Sequence, residues 1–84
     1  MRSAVAPTEE DFAREQRENI GRRIVQARSE LGIRQWDFAA ALAVNQPRLS
    51  EWERGIHAPT PASLRRISYL TGKPYAWFFE EDGE

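Results

Sequence analysis

The sequence contains no cysteine. Disulfide staples and thiolate metal sites are excluded, and a cytoplasmic location is compatible with the chain. It has a single histidine, His57. With no second histidine and no cysteine beside it, a metal or catalytic role for His57 is not expected. No apolar run approaches the roughly 20 residues that span a bilayer, and the N-terminus shows no signal-peptide core. Metal-ligand spacing, a nucleophile–base set and a phosphate-cradling glycine loop are all missing. Eighty-four residues are also few for a pocket of useful size. The chain is therefore not expected to be an enzyme, to bind a cofactor or metal, or to meet a membrane. No stretch alternates at strand period, and no segment repeats. One small all-α domain remains, which must fold on its own apolar helix faces.

Charge is nearly balanced overall, at −1, but it is not evenly spread. Residues 1–18 carry three Arg against five acids, and residues 74–84 carry four acids and no base. Residues 19–73 carry eight Arg and Lys73 against Glu30, Asp37, Glu51 and Glu53, a balance of +5. A basic middle between acidic ends points to a polyanionic partner. The acidic ends should weaken non-specific attraction to phosphates.

Residues 1–7 show no periodicity and are expected to be a disordered tail. Thr8 with Glu9, Glu10 and Asp11 marks a helix start. Phe12, Ile20, Ile24, Ala27 and Leu31 fall near one helical face, and Gly32 ends the run. Two readings stand: one helix over residues 9–31, or two pieces broken near Asn19 and Gly21. Gln35 to Leu42 is a second helix with Phe38, Ala39 and Leu42 inward and a poor N-cap in Arg34. Ala43 and Val44 form a turn. Thr60-Pro61 opens a further helix with Leu64, Ile67 and Leu70 inward, ending at Gly72. Residues 74–79 are a last short helix rich in aromatics, and residues 80–84 an acidic frayed end.

The stretch N-Q-P-R-L-S-E-W-E-R-G, residues 45–55, carries the functional signal. Asn45 caps a short helix, Pro47 lies in its first turn and Gly55 stops it. Only Leu49, Trp52 and Glu53 repeat on an inner face. Gln46, Arg48, Ser50, Glu51 and Arg54 point outward, as suits reading base edges. Taken alone, this helix could equally be an ordinary solvated face. The preceding segment decides between them. Two short helices are joined by about three residues, with small Ala39 at the crossing, Val44 under the turn and Leu49 anchoring the second helix. That is a helix-turn-helix.

Residues I-G-R-R-I-V-Q-A-R, L-G-I-R-Q-W-D-F-A, L-A-V-N-Q-P-R-L-S-E-W-E-R-G, P-T-P-A-S-L-R-R-I and G-K-P-Y-A-W-F-F resemble one family. It is the Cro/CI-type (XRE family) helix-turn-helix domain of phage repressors and bacterial regulators. Gln35, Ala39, Val44, Ser50, Trp52-Glu53 and Gly55 carry the likeness together. The resemblance implies a five-helix, lambda-repressor-like bundle over residues 19–79. Residues 1–18 would be a tail and helical extension, and residues 80–84 an acidic tail. It also implies a repressor that binds a palindromic double-stranded DNA site as a homodimer. By position, Gln35 would bond a phosphate and brace Gln46. Gln46, Pro47 and Glu51 would read bases, with Asn45, Arg48 and Ser50 beside them and Arg54 on a phosphate. Arg28 and Glu53 match a buried structural ion bridge.

Three departures qualify the likeness. Ala43 replaces a Gly that often takes a left-handed turn. Pro47 can offer only apolar contact, for instance to a thymine methyl. Trp36 is large for a place near the DNA backbone; it either donates to a phosphate or covers part of the core. Several residues stay open. Gln46 suits bidentate adenine reading. Arg48 could meet guanine, a phosphate or solvent. Glu51 could accept from cytosine or brace Arg48 or Arg54. His57 suits a loop near a phosphate. Trp52, Trp77, Phe78 and Phe79 read as core, the last three alternatively as a dimer patch. Arg22, Arg23, Arg65 and Arg66 read as solvated faces. A competing expectation is a protein-interaction module, such as an antitoxin or adaptor, motivated by the acidic ends and the aromatic last helix.

Overall fold

Thr8 and Asp11 cap each other at the start of the first helix. The Thr8 hydroxyl accepts from the Asp11 amide at 3.1 Å, and the Asp11 carboxylate accepts from the Thr8 amide at 2.9 Å. The Thr8 amide first, and Arg14 second, hold the Asp11 carboxyl below its ordinary range. The helix α1, Glu9–Leu31, then runs unbroken to Gly32, which is left-handed with φ 70°. This computed structural model describes residues 5–81, so the expectations for residues 1–4 and 82–84 fall outside it.

Gly21 does not break α1. It is where α1 meets the end of the third helix: a Cβ there would lie 2.5 Å from the Trp52 carbonyl oxygen. The inner face of α1 is Ile20, Ile24 and Ala27, all buried. Phe12 and Leu31, expected on that face, are 59% and 46% exposed. A helix of 23 residues spans about 34 Å, and its first turns run past the bundle, which leaves Phe12 uncovered. Its last turn is held through Arg28 and Glu30, and Leu31 lies on the open side of that turn. The molecule is accordingly elongated, 51 × 25 × 21 Å.

The second helix, α2 (Gln35–Ala41), buries Phe38 and Ala39, and Leu42 caps its end. Arg34 gives it no side-chain cap. Ala43 follows with φ 61°, a left-handed residue with a Cβ. That conformation costs a non-glycine about 1–2 kcal/mol, part of which glycine would return as unfolded-state entropy. Ala43→Gly should therefore raise stability by about 1 kcal/mol, a melting shift of roughly 4–8 °C in a domain of this size. A thermal melt no higher than the parent's would show the turn to be relaxed as it stands.

The third helix, α3, is Gln46–Glu53 and the fourth, α4, is Pro61–Thr71. Thr60 caps α4 by accepting the Ser63 amide at 3.1 Å. Leu64 and Ile67 are buried, but Leu70 is 37% exposed, against expectation. Six residues beyond Leu64, it is rotated about 120° around the helix and reaches only the rim.

The expected fifth helix is a five-residue 3₁₀ turn, Tyr75–Phe79, so the described residues hold four α-helices rather than five. Pro74 bars helical entry from upstream, and five residues are too few for a sustained α ladder. Phe78 is fully buried at the base of the bundle. Trp77 packs on the core with the Arg23 guanidinium and the Lys73 ammonium each 4.7 Å from its ring centroid. Lys73 also pairs with Glu30 at 2.8 Å and holds that carboxyl below its ordinary range, helped by Gln26. Among the described residues, no helix is long and apolar enough to cross a membrane.

Candidate nucleic-acid interface

The helix α3 is fixed at its start, its inner face and its end. Asn45 Oδ1 accepts from the Arg48 amide at 2.8 Å, which satisfies one of the free donors of the first turn. Leu49 and Trp52 are buried against α1 and α2. Gly55, at φ 76°, turns the chain away, and its carbonyl accepts from Arg17 Nε at 3.3 Å. The turn before α3 closes through the Val44 amide, which donates to the Ala39 carbonyl at 3.0 Å, while the Val44 side chain packs on the core. Buried Ala39 lets the two helices approach there.

Four side chains form one connected line from α1 to the start of α3. Arg28 donates to Glu53 through Nε at 2.8 Å and through Nη2 at 3.2 Å. Gln35 Nε2 donates to Glu53 Oε1 at 2.8 Å. Gln46 Nε2 donates in turn to Gln35 Oε1 at 2.9 Å. The Glu53 side chain is only 5% exposed and that of Arg28 16%. Arg28 Nη1 also donates to the Ile33 carbonyl at 2.9 Å, which ties the loop before α2 into the same line. The Glu53–Gln35 bond joins residues 18 apart in sequence, and no sequence periodicity announces it.

The remaining candidates lie on the outer side of α3. Asn45, Pro47, Arg48 and Arg54 are exposed, and Ser50 and Glu51 half-buried. Glu51 pairs with neither Arg48 nor Arg54; Arg54 Nε donates to Ser50 Oγ at 3.2 Å instead. Trp36 is 68% exposed and does not pack on the core. Arg48, Glu51, Trp52, His57 and Ala58 line a cleft of about 340 Å³ beside the helix.

Three arginines read as solvated faces are tied to the frame. Arg23 Nε donates to the Glu80 carbonyl at 3.1 Å, and Arg66 Nη1 to the Leu42 carbonyl at 3.4 Å. Arg65 lies 4.8 Å from the Tyr75 ring centroid.

A family model described as helix-turn-helix matches residues 24–78. The chain belongs to the Cro/CI-type helix-turn-helix family. It is thereby a member of a family of DNA-binding transcription regulators. Searches of curated proteins and of solved structures gave no match. The matched span takes in α2, the turn, α3 and all but the last residue of the 3₁₀ turn. It leaves out the first fifteen residues of α1, Glu9 to Arg23.

Proposed function

We infer that this chain represses transcription by binding a palindromic operator as a homodimer, with α3 in the major groove. The observation that carries this reading is the support of Gln46. In a family of DNA-binding regulators, a glutamine at the start of the exposed helix is wired to Gln35 and through it to a buried ion pair. Preorganised polar groups of that kind suit base recognition, because little side-chain entropy remains to be lost on binding.

Gln46 reads adenine through its amide, and Pro47 offers apolar contact to a thymine methyl. Glu51, unpaired on the helix, accepts from a cytosine amino group. Arg48 lies at the α3 N-terminus beside Asn45 and reaches guanine or a neighbouring phosphate. Gln35 keeps a second amide hydrogen, which with Arg54 and the Trp36 indole N–H holds the backbone. Ser50 positions Arg54. The DNA-binding unit is residues 19–79, with residues 1–18 an extension and 80–84 an acidic tail. Such a protein works in the cytoplasm, where the operator is.

Selection of bound duplexes from a random pool tests this. The expected product is a palindrome with half-sites about one turn apart. On that duplex, log affinity should fall with log salt at about −0.9 per phosphate contact, and Gln46→Ala should flatten one position in each half-site. A flat salt response on every duplex would sink the reading.

A second reading, a protein-interaction module such as an antitoxin or adaptor, has its own support. Phe12, Ala13 and Phe79 line an open groove of about 730 Å³ edged by Glu9, Glu15, Glu18 and Glu81. Trp77 is committed to the core, so Phe12 is the side chain to change. A complex with a protein partner that survives Gln46→Ala but dissociates on Phe12→Ala would favour this reading.

A further inference from the structure

We propose that Glu53 sets base specificity at a distance, by fixing which way round the Gln46 amide is presented. The proposal rests on the reading of Gln46 as a base contact. It concerns a residue that sits behind the recognition surface and touches no DNA.

The inference follows from donor and acceptor chemistry along one line of bonds. An ionised carboxylate can only accept. Glu53 accepts from Arg28 at 2.8 and 3.2 Å, so both of its carboxylate oxygens face N–H donors in its nearly buried position. Gln35, 2.8 Å from Glu53 Oε1, must therefore turn its NH₂ toward Glu53. Its carbonyl oxygen is then the atom that faces Gln46, at 2.9 Å. Gln46 must answer with its own NH₂. One of its amide hydrogens is spent there. Its Oε1 and its other hydrogen are left to face outward, as one acceptor and one donor.

That outward pair matches one purine and not the other. Adenine presents N7 as acceptor and N6–H as donor in the major groove. Guanine presents two acceptors, N7 and O6. A locked Gln46 would set its Oε1 against guanine O6, acceptor against acceptor. A glutamine free to turn its amide over could offer both hydrogens to guanine instead. Nothing in Gln46 itself chooses between these states; the choice descends from the carboxylate of Glu53.

Glu53→Gln keeps the size of the side chain and removes the constraint. With the new amide oxygen on Arg28 Nε, the shorter of the two Arg28 contacts, the NH₂ takes the place of Oε1 and the longer Arg28 Nη2 contact is given up. That NH₂ then faces Gln35. Gln35 must turn its oxygen inward and its NH₂ toward Gln46. Gln46 turns its oxygen inward and offers both hydrogens to the groove. Preference at that base should move from adenine toward guanine. Gln35→Ala cuts the line while leaving Arg28 and Glu53 paired, and should bring the two purines close to parity.

The experiment measures affinities of the wild type and both variants for the selected duplex and for its adenine-to-guanine version at the Gln46 position. That position is identified as the one that Gln46→Ala flattens. The wild type should favour adenine by roughly ten- to a hundredfold, the usual worth of a good bidentate contact. The ratio should collapse in Gln35→Ala and collapse or invert in Glu53→Gln. A purely structural Glu53 would weaken both duplexes alike and leave the ratio unchanged. If Glu53→Gln loses its helical signal at working temperature, Gln35→Ala decides the matter alone. An adenine preference retained in the folded variants, or a wild-type site in which Gln46→Ala changes no position, overturns the role given to Glu53. A wild type that binds no duplex overturns the regulator reading itself.

Discussion

Glu53→Ala should destabilise the fold by about 3–5 kcal/mol, because removing one partner of a buried ion pair strands the other. Two groups lose their acceptor at once. Arg28 keeps only the Ile33 carbonyl, and Gln35 Nε2 loses the bond it made at 2.8 Å. The Arg28 side chain is 16% exposed, so water can reach part of the abandoned guanidinium, and the cost should fall toward the lower end of that range. Arg28→Ala should cost more. It leaves a carboxylate 5% exposed with a single amide donor. Replacing both residues by apolar ones of similar volume should recover much of the loss, since a buried pair gains little over good apolar packing. Urea unfolding of the three variants gives the ranking. A Glu53→Ala protein that melts like the parent yet has lost DNA binding would reject a structural role for the pair.

Local signals account for the helices that the sequence made legible. Thr8, Asn45 and Thr60 each have a side chain that accepts from an amide three residues on, and each begins a helix. The glycines at 32, 55 and 72 each take positive φ beyond a helix end. Such features depend on a few neighbours and can be read without a fold. The misjudged positions depend on what lies alongside. Phe12 shares the helical phase of Ile20 and Ile24, but no other helix extends far enough to cover it. Leu70 shares the spacing of Leu64 and Ile67, but each step of three residues turns it about 60° further round the helix, out to the rim. The last helix became a 3₁₀ turn because Pro74 bars entry from upstream and five residues are too few for an α ladder; aromatic packing then holds residues 75–79 in place.

At the interface the same division holds. Which residues lie on the outer side of α3 could be read from 3.6-residue spacing. How they are supported could not. The line from Arg28 to Gln46 joins three helices, and its donor polarity is a property of the assembled set. Arg65 and Arg66 are exposed as expected, yet they and Arg23 also reach carbonyl groups and an aromatic ring that spacing did not announce.

Gly21→Ala should be comparably damaging, at about 3 kcal/mol, although alanine is the better helix former by about 1 kcal/mol. An added Cβ would lie 2.5 Å from the Trp52 oxygen, 2.6 Å from the Glu53 oxygen and 2.9 Å from the Glu53 carbonyl carbon. All three are backbone atoms, so no side chain can swing aside. Either α1 bends or the end of α3 lifts away. Lifting α3 also pulls Glu53 from Arg28, which adds the cost of the weakened pair to that of the clash. Gly32→Ala is the control: its Cβ would meet nothing within 4 Å, and only the φ of 70° is penalised, by about 1–2 kcal/mol. A melting drop of roughly 12–24 °C for Gly21→Ala, clearly beyond that of Gly32→Ala, is the expected result. A Gly21→Ala protein that melts at or above the parent would mean that α3 does not rest on α1 as described. The support of the reading helix would then have to come from α2 alone, and both the bracing of Gln46 and the reach of Glu53 would lose their foundation.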